Sequence, residues 1–166
     1  LLTQSPGAIA DVGQVLSRAV ELEQVLGAQY EVSLRVLDPP AGLMAELHPA
    51  FLRQMLIMAL GELIRYAAPG EIALQVAAVE RDVVLELSAD RASEQAPPDV
   101  GLIKEMLASQ RGRIEVEEGS ERLLLRIRVP RAGRVTVLVV DDNQDQVHFY
   151  RRATAGTRYH IVHVPY

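Results

Sequence analysis

Four alternating runs of residues, joined in pairs by tight polar turns, constrain this chain more than anything else in it. "EIALQVAAV" (71–79) and "DVVLELSA" (82–89) flank Glu80-Arg81, and "RIEVEE" and "RLLLRIRVP" flank Gly119-Ser120. A period of two puts every second side chain on the same face, so each pair reads as a hairpin with one apolar and one polar face. Two hairpins need cover for their apolar faces, and the stretches around them supply it. Residues 9–27, "IADVGQVLSRAVELEQVLG", carry Ile9, Val12, Leu16, Val20 and Leu26 near helical spacing, with Gly27 expected as the stop. "YEVSLRVL" (30–37) alternates as a half-buried strand and "DPPAG" is a turn. "VGLIKEMLASQRG" (100–112) reads as a helix ended by Gly112, after a polar, proline-bearing loop, "DRASEQAPPD" (90–99). The order helix, strand, helix, hairpin, helix, hairpin predicts an α+β, two-layer sandwich with helices on one face of a largely antiparallel sheet.

"LRQMLIMALGELIRYAAPGEIAL" (52–74) holds the most informative helix. At 100° per residue, Gln54, Met58, Gly61 and Arg65 fall in one narrow arc with Glu62 beside it. The other faces carry Leu56, Ile57, Leu60, Leu63 and Ile64 and are expected to pack into a core. The narrow polar stripe either meets water or looks into a site. On the first alternative Gln54, Glu62 and Arg65 are a solvated face and Met58 fills a gap.

"PRAG" (130–133) is the expected boundary between a first domain, 1–130, and a second segment, 134–166. There "RVTVLVVDDNQDQ" runs as a continuous apolar strand into acids, followed by a helix in "QDQVHFYRRATAG" and a strand in "RYHIVHV". The pattern is a β-α-β unit cut short.

Composition limits the partners. Of 166 residues, 49% are hydrophobic and 23% charged, which allows a sizeable core. The net charge is −5 and no Lys/Arg cluster with interleaved aromatics appears, so no concentrated positive field favours nucleic acid; Lys104 is the only lysine, a compositional habit. Without cysteine there is no disulfide, thiolate metal site or cysteine nucleophile. No signal peptide or apolar run of roughly 18 residues is visible, so a cytoplasmic protein without membrane contact is expected. A start at Leu1 and an end in "HIVHVPY" lead us to expect a piece of a longer protein.

Three passages resemble the ATP-binding domain of sensor histidine kinases, the Bergerat-type or GHKL ATPase fold. "LRQMLIMALGELIRYAAPGEIALQV" is similar to the helix bearing that family's Asn box. "RDVVLELSADRASEQAPPD" is similar to the strand and loop of its first glycine box. "VGLIKEMLASQRGRIEVEEGSERLLLRIRVP" is similar to its last helix and closing hairpin. The resemblance implies nucleotide-facing roles for Met58, Glu62, Asp90 and Gly101, but the chemistry has changed. Met58 and Glu62 stand where the family presents asparagines. A thioether is a poor ligand for magnesium, and a carboxylate brings negative charge toward a triphosphate. No glycine follows Asp90, the expected adenine-reading carboxylate, and only Gly101 remains of the second glycine box. Ten residues, 91–100, separate Asp90 from Gly101, too few for the family's long nucleotide lid.

Residues 134–166 resemble the start of a response-regulator receiver domain. Asp141 and Asp142 would be the acidic pair that holds magnesium in a complete receiver; the alternative is that Asp141, Asp142 and Asn143 cap the next helix. The phosphoacceptor aspartate, Thr/Ser and Lys of that family have no counterpart here, so autonomous receiver activity is not expected. None of His48, His148, His160 and His163 fits a phosphoacceptor context, and His160 and His163 point to opposite faces of one strand.

The resulting expectation is a degenerate, non-catalytic histidine-kinase-type domain of a hybrid two-component protein, with no cofactor and no catalytic residue. It would act through protein partners in a phosphorelay or sensor complex, with a homodimer compatible with that role. The enzymatic alternative is a divergent but active kinase domain binding Mg-ATP through Glu62 and Asp90. A third reading is an adaptor resembling anti-sigma binding modules.

Overall fold

The computed structural model describes residues 8–37, 42–90, 96–133, 135–155 and 158–165. The chain divides into two compact units, 1–131 and 132–166.

In the first unit a short strand β1 (Ala10–Asp11) leads into helix α1 (Val12–Gln29), strand β2 (Val32–Leu37), short strand β3 (Met44–Ala45) and helix α2 (Pro49–Ala67). Strands β4 (Gly70–Val79) and β5 (Asp82–Asp90), helix α3 (Gly101–Ala108), and strands β6 (Arg113–Glu118) and β7 (Arg122–Pro130) follow. The main sheet has the order β2-β4-β5-β7-β6; β2 runs parallel to β4 and every other pair is antiparallel. Both hairpins form as the alternation predicts, and β5 joins them at the centre through Leu85 opposite Ile127 and Leu87 opposite Leu125.

One face of the sheet is aliphatic: Ile72, Leu74 and Val76 of β4, Val83, Leu85 and Leu87 of β5, and Leu123, Leu125, Ile127 and Val129 of β7 are all buried. Helix α2 covers it with Leu52, Met55, Leu56, Ala59, Leu60, Leu63 and Ile64, every one without solvent exposure. Burial on this scale, at about 1.5–3 kcal/mol per large aliphatic side chain, sets which face each helix turns inward. The opposite face carries ion pairs, including Arg35–Glu71 at 3.1 Å and Arg126–Glu86 at 2.7 Å. This is the expected α+β two-layer sandwich.

Helix starts follow local capping chemistry. The Asp11 carboxylate accepts a hydrogen bond from the Gln14 N–H at 3.0 Å, and His48 Nδ1 accepts one from the Ala50 N–H at 3.2 Å, with Pro49 opening α2. Helix ends depart from expectation. Gly27 does not stop α1; the helix continues to Gln29, and Glu31 takes the left-handed conformation at φ 56°. Gly27 is needed for a close approach, since a Cβ there would lie 2.7 Å from the Val32 carbonyl oxygen of β2. Likewise α3 ends at Ala108, and Arg111, not Gly112, has positive φ, at 59°. A Cβ on Gly112 would meet the Arg128 carbonyl oxygen at 2.9 Å. Both glycines serve packing against a neighbouring strand, a demand invisible in a local pattern.

The second unit holds strand β8 (Val135–Val140), helix α4 (Gln144–Ala153) and strand β9 (Tyr159–Val164), with β8 and β9 parallel. Val147 and Ile161 are buried, whereas Leu138, Val140, Val162 and Val164 on the other sheet face are exposed.

Candidate functional site

The polar arc of α2 looks into a cleft of about 280 Å³ walled by three elements. Ile57, Met58, Gly61, Glu62 and Arg65 form its floor, Glu23 and Leu26 of α1 one wall, and Asp99 and Ile103, at the start of α3, another. The stripe is therefore not a core face: Gly61 is buried, Met58 and Glu62 are half-buried and Arg65 is exposed. Gln54 alone of the predicted arc lies outside the lining and is exposed.

Glu62 is the organising group. Its Oε1 accepts a hydrogen bond from Arg65 Nη2, one turn along α2. Its Oε2 accepts one from the Asp99 backbone N–H at 3.3 Å, and Asp99 Oδ1 in turn accepts one from the Gly101 N–H at 3.0 Å. The chain entering α3 is thus tied to α2 through a carboxylate already matched to one cation and one amide. Gly101 opens α3, and its N–H is taken by Asp99, a side-chain turn that stands in where Val100, the N-cap, offers no side-chain bond.

Glu23 was missed by sequence reasoning, because it interrupts the apolar pattern of α1 without belonging to any motif. Its Oε2 is buried and has no hydrogen-bond partner among the described residues. Burial raises its carboxyl pKa, and the nearby Arg65 guanidinium partly counters the rise.

The structure brings Met58 and Glu62 together on the cleft floor, with Gly101 next along the chain from the Asp99–Val100 segment that Glu62 anchors. Asp90 is not in the cleft lining. It ends β5 with a carboxylate that accepts hydrogen bonds from Arg122 Nε at 3.3 Å and Nη2 at 3.2 Å, and it is 66% exposed. The rest of the expected first glycine box, residues 91–95, lies outside the described residues.

The donor set does not suit magnesium and a triphosphate. Met58 offers a thioether to a cation that prefers hard oxygen, Glu62 is already engaged by Arg65, and Glu23, Glu62 and Asp99 would face the phosphates with like charge. The volume also falls just below the roughly 300–1,000 Å³ of typical small-molecule pockets.

In the second unit the Asp141 carboxylate accepts a hydrogen bond from the Asn143 N–H at 2.8 Å, and Asn143 caps α4 by accepting from Asp145 N–H at 3.0 Å and Gln146 N–H. The Asp141 carbonyl lies 2.7 Å from His163 Nε2. Among the described residues no group of three or more His, Asp or Glu side chains could hold a metal ion. Nor is any helix among the described residues long and apolar enough to cross a membrane.

No protein-family model and no curated protein sequence matches this chain. Solved structures do. The histidine kinase AdeS of Acinetobacter baumannii is similar with a TM-score of 0.63 and 12% identity, over 74% of this chain and 66% of that one. The catalytic domain of histidine kinase ThkA is similar with a TM-score of 0.65 and 13% identity, over 75% of this chain and 95% of that one. Full-length ShkA in complex with AMPPNP is similar with a TM-score of 0.62 and 17% identity, over 98% of this chain but only 41% of that one. Identities this low speak for architecture alone. The helix-covered mixed sheet of this chain has the fold of histidine-kinase catalytic domains.

Proposed function

We propose that this chain is a non-catalytic module of two-component signalling, a histidine-kinase-type domain that acts by protein–protein contact instead of phosphoryl transfer. The observation that supports this reading is the closure of Glu62 by Arg65 and the Asp99 N–H, at the place where the resemblance implies a ligand-facing asparagine. Met58 on the same floor and the Gly101 N–H engaged by the Asp99 carboxylate agree with it. Met58, Glu62, Asp90 and Gly101 are then vestiges of a nucleotide surface, and the domain works without a bound cofactor. The parallel β8-α4-β9 unit, with Asp141 and Asp142 just beyond the carboxyl end of β8, supports a receiver-type origin for residues 134–166. In a complete receiver that pair would contribute to a magnesium site. We further propose that the protein works in the cytoplasm of a bacterium, with signalling proteins as its partners.

Calorimetric titration with magnesium and a non-hydrolysable ATP analogue, beside thermal unfolding, tests the reading. No heat and no shift at millimolar nucleotide are expected. Ligand at a hundred times its dissociation constant would stabilise the fold by about 2.7 kcal/mol. Binding of that kind, lost in Asp90→Ala, would overturn the proposal in favour of an active ATP-dependent kinase domain.

A further inference from the structure

The geometry points to a specific guest for the α1–α2–α3 cleft: an arginine side chain presented by a partner protein between apolar residues. This inference rests on the non-nucleotide reading above and names what the cleft would take instead.

Charge comes first. Three carboxylates, from Glu23, Glu62 and Asp99, line the cleft against one guanidinium, Arg65. Arg65 is held by Glu62, and Glu62 and Asp99 each spend an oxygen on a backbone N–H. Glu23 is half-buried, and its Oε2 is covered and has no donor among the described residues. A buried acceptor lacking a donor is destabilising in the free protein, and a guanidinium is the side chain best matched to a carboxylate. Shape agrees with charge. Leu26, Ile57, Met58 and Ile103 offer apolar wall to the methylene stem of such a residue. Outside the cleft, on the two helices that wall it, Leu22 and Val25 of α1 and Leu102 of α3 are 58%, 68% and 59% exposed. An acidic centre between helices bearing exposed aliphatic side chains suits a protein surface better than a free ion, since apolar contacts around a desolvated arginine are the usual anatomy of a binding hot spot. The same carboxylates repel a triphosphate, so attraction to one partner and rejection of the other come from one set of charges.

The test uses the whole 166-residue chain, isotope-labelled, with amide spectra recorded during titration. The probe is a capped peptide, acetyl-Leu-Ala-Ala-Arg-Ala-Ala-Ala-Leu-amide, compared with the same peptide carrying citrulline, the uncharged isostere of arginine, and with spermidine. Saturable shifts at Gly61, Glu62, Asp99 and Gly101 are expected with the arginine peptide. Binding should be about tenfold weaker for the citrulline peptide and for Glu23→Gln with the arginine peptide. Equal binding of both peptides, or no shift at these amides, would overturn the inference, and spermidine binding as tightly as the peptide would replace a protein partner by a small polyamine. Adding magnesium and the ATP analogue to the same sample separates the two levels. Nucleotide shifts at these amides would overturn the proposed function itself, whereas silence from both nucleotide and peptide would remove only the arginine guest.

Discussion

The Glu62 carboxylate accepts a hydrogen bond from the Asp99 backbone N–H across 37 positions of sequence, at 3.3 Å. That bond, with the Arg65 pair on the other oxygen, fixes the entry of α3 beside α2. Glu62→Ala should destabilise the first unit by about 1 kcal/mol, the usual net worth of a partly exposed charged hydrogen bond. Its local signature is more telling than its size. Hydrogen exchange at the amides of Asp99 to Lys104 should accelerate, while that of β5 stays unchanged.

Glu23 predicts an unusual pH dependence. Burial raises its folded-state pKa above the ordinary 4.5, so the folded chain holds its proton more tightly than the unfolded chain. The contribution to stability is therefore fully present below the unfolded value and is lost as pH rises through the folded one. At neutral pH the ionised carboxylate works against folding, and Glu23→Gln should raise the melting temperature. The advantage of the variant should shrink on acidification and vanish below about pH 4. Thermal unfolding at several pH values checks both the sign and the window.

Gly27→Ala should be destabilising by about 1–3 kcal/mol even though alanine is the better helix former, because the new Cβ would sit 2.7 Å from the Val32 carbonyl oxygen. Gly61→Ala is the control. Its Cβ would meet nothing nearer than Arg65 Nη1 at 3.9 Å, so helix propensity should prevail and stability should hold or rise. Chemical denaturation of the two variants distinguishes these outcomes.

On the polar face of the sheet, Arg126 pairs with Glu86 at 2.7 Å and with Glu117, and lies 3.8 Å from Glu115; its hydrogen bonds to Glu86 and Glu117 raise its pKa. Among the described residues Arg122 pairs with Asp90, with both side chains about two-thirds exposed. Arg126→Ala should lower the melting temperature clearly and by less in high salt, whereas Arg122→Ala should change stability by no more than about 0.5 kcal/mol.

Much of this fold is legible in the sequence, and the limits of that legibility have physical causes. The hairpins were readable because period-two alternation and a turn are local properties, and Leu85 and Ile127 face each other as two such patterns require. Helix α2 was readable by the same logic at 100° per residue, down to the arc that floors the cleft. The ends of α1 and α3 were misread, since Gly27 and Gly112 answer to strands that approach from elsewhere in the chain. The short pairing of β1 with β3 was not foreseen, because two residues carry no period. Within the cleft, Met58 and Glu62 stand out through helical spacing and take a nucleotide-facing reading from the family resemblance, while Glu23 becomes visible only once α1 is laid against α2.

The central strand β5 is bonded to β4 on one side and, through Asp90 opposite Arg122 and Asp82 opposite Pro130, to β7 on the other. The connection from β5 to β6 is an excursion from the sheet, and it carries α3 and one wall of the cleft. Doubling the length of such an excursion adds only about 0.6 kcal/mol of closure entropy. Inheritance can therefore rewrite the wall of the cleft, shortening or recharging it generation by generation, while the sheet that displays it stays the same. In such an architecture a binding specificity can drift from one ligand to another without the lineage ever passing through an unfolded ancestor.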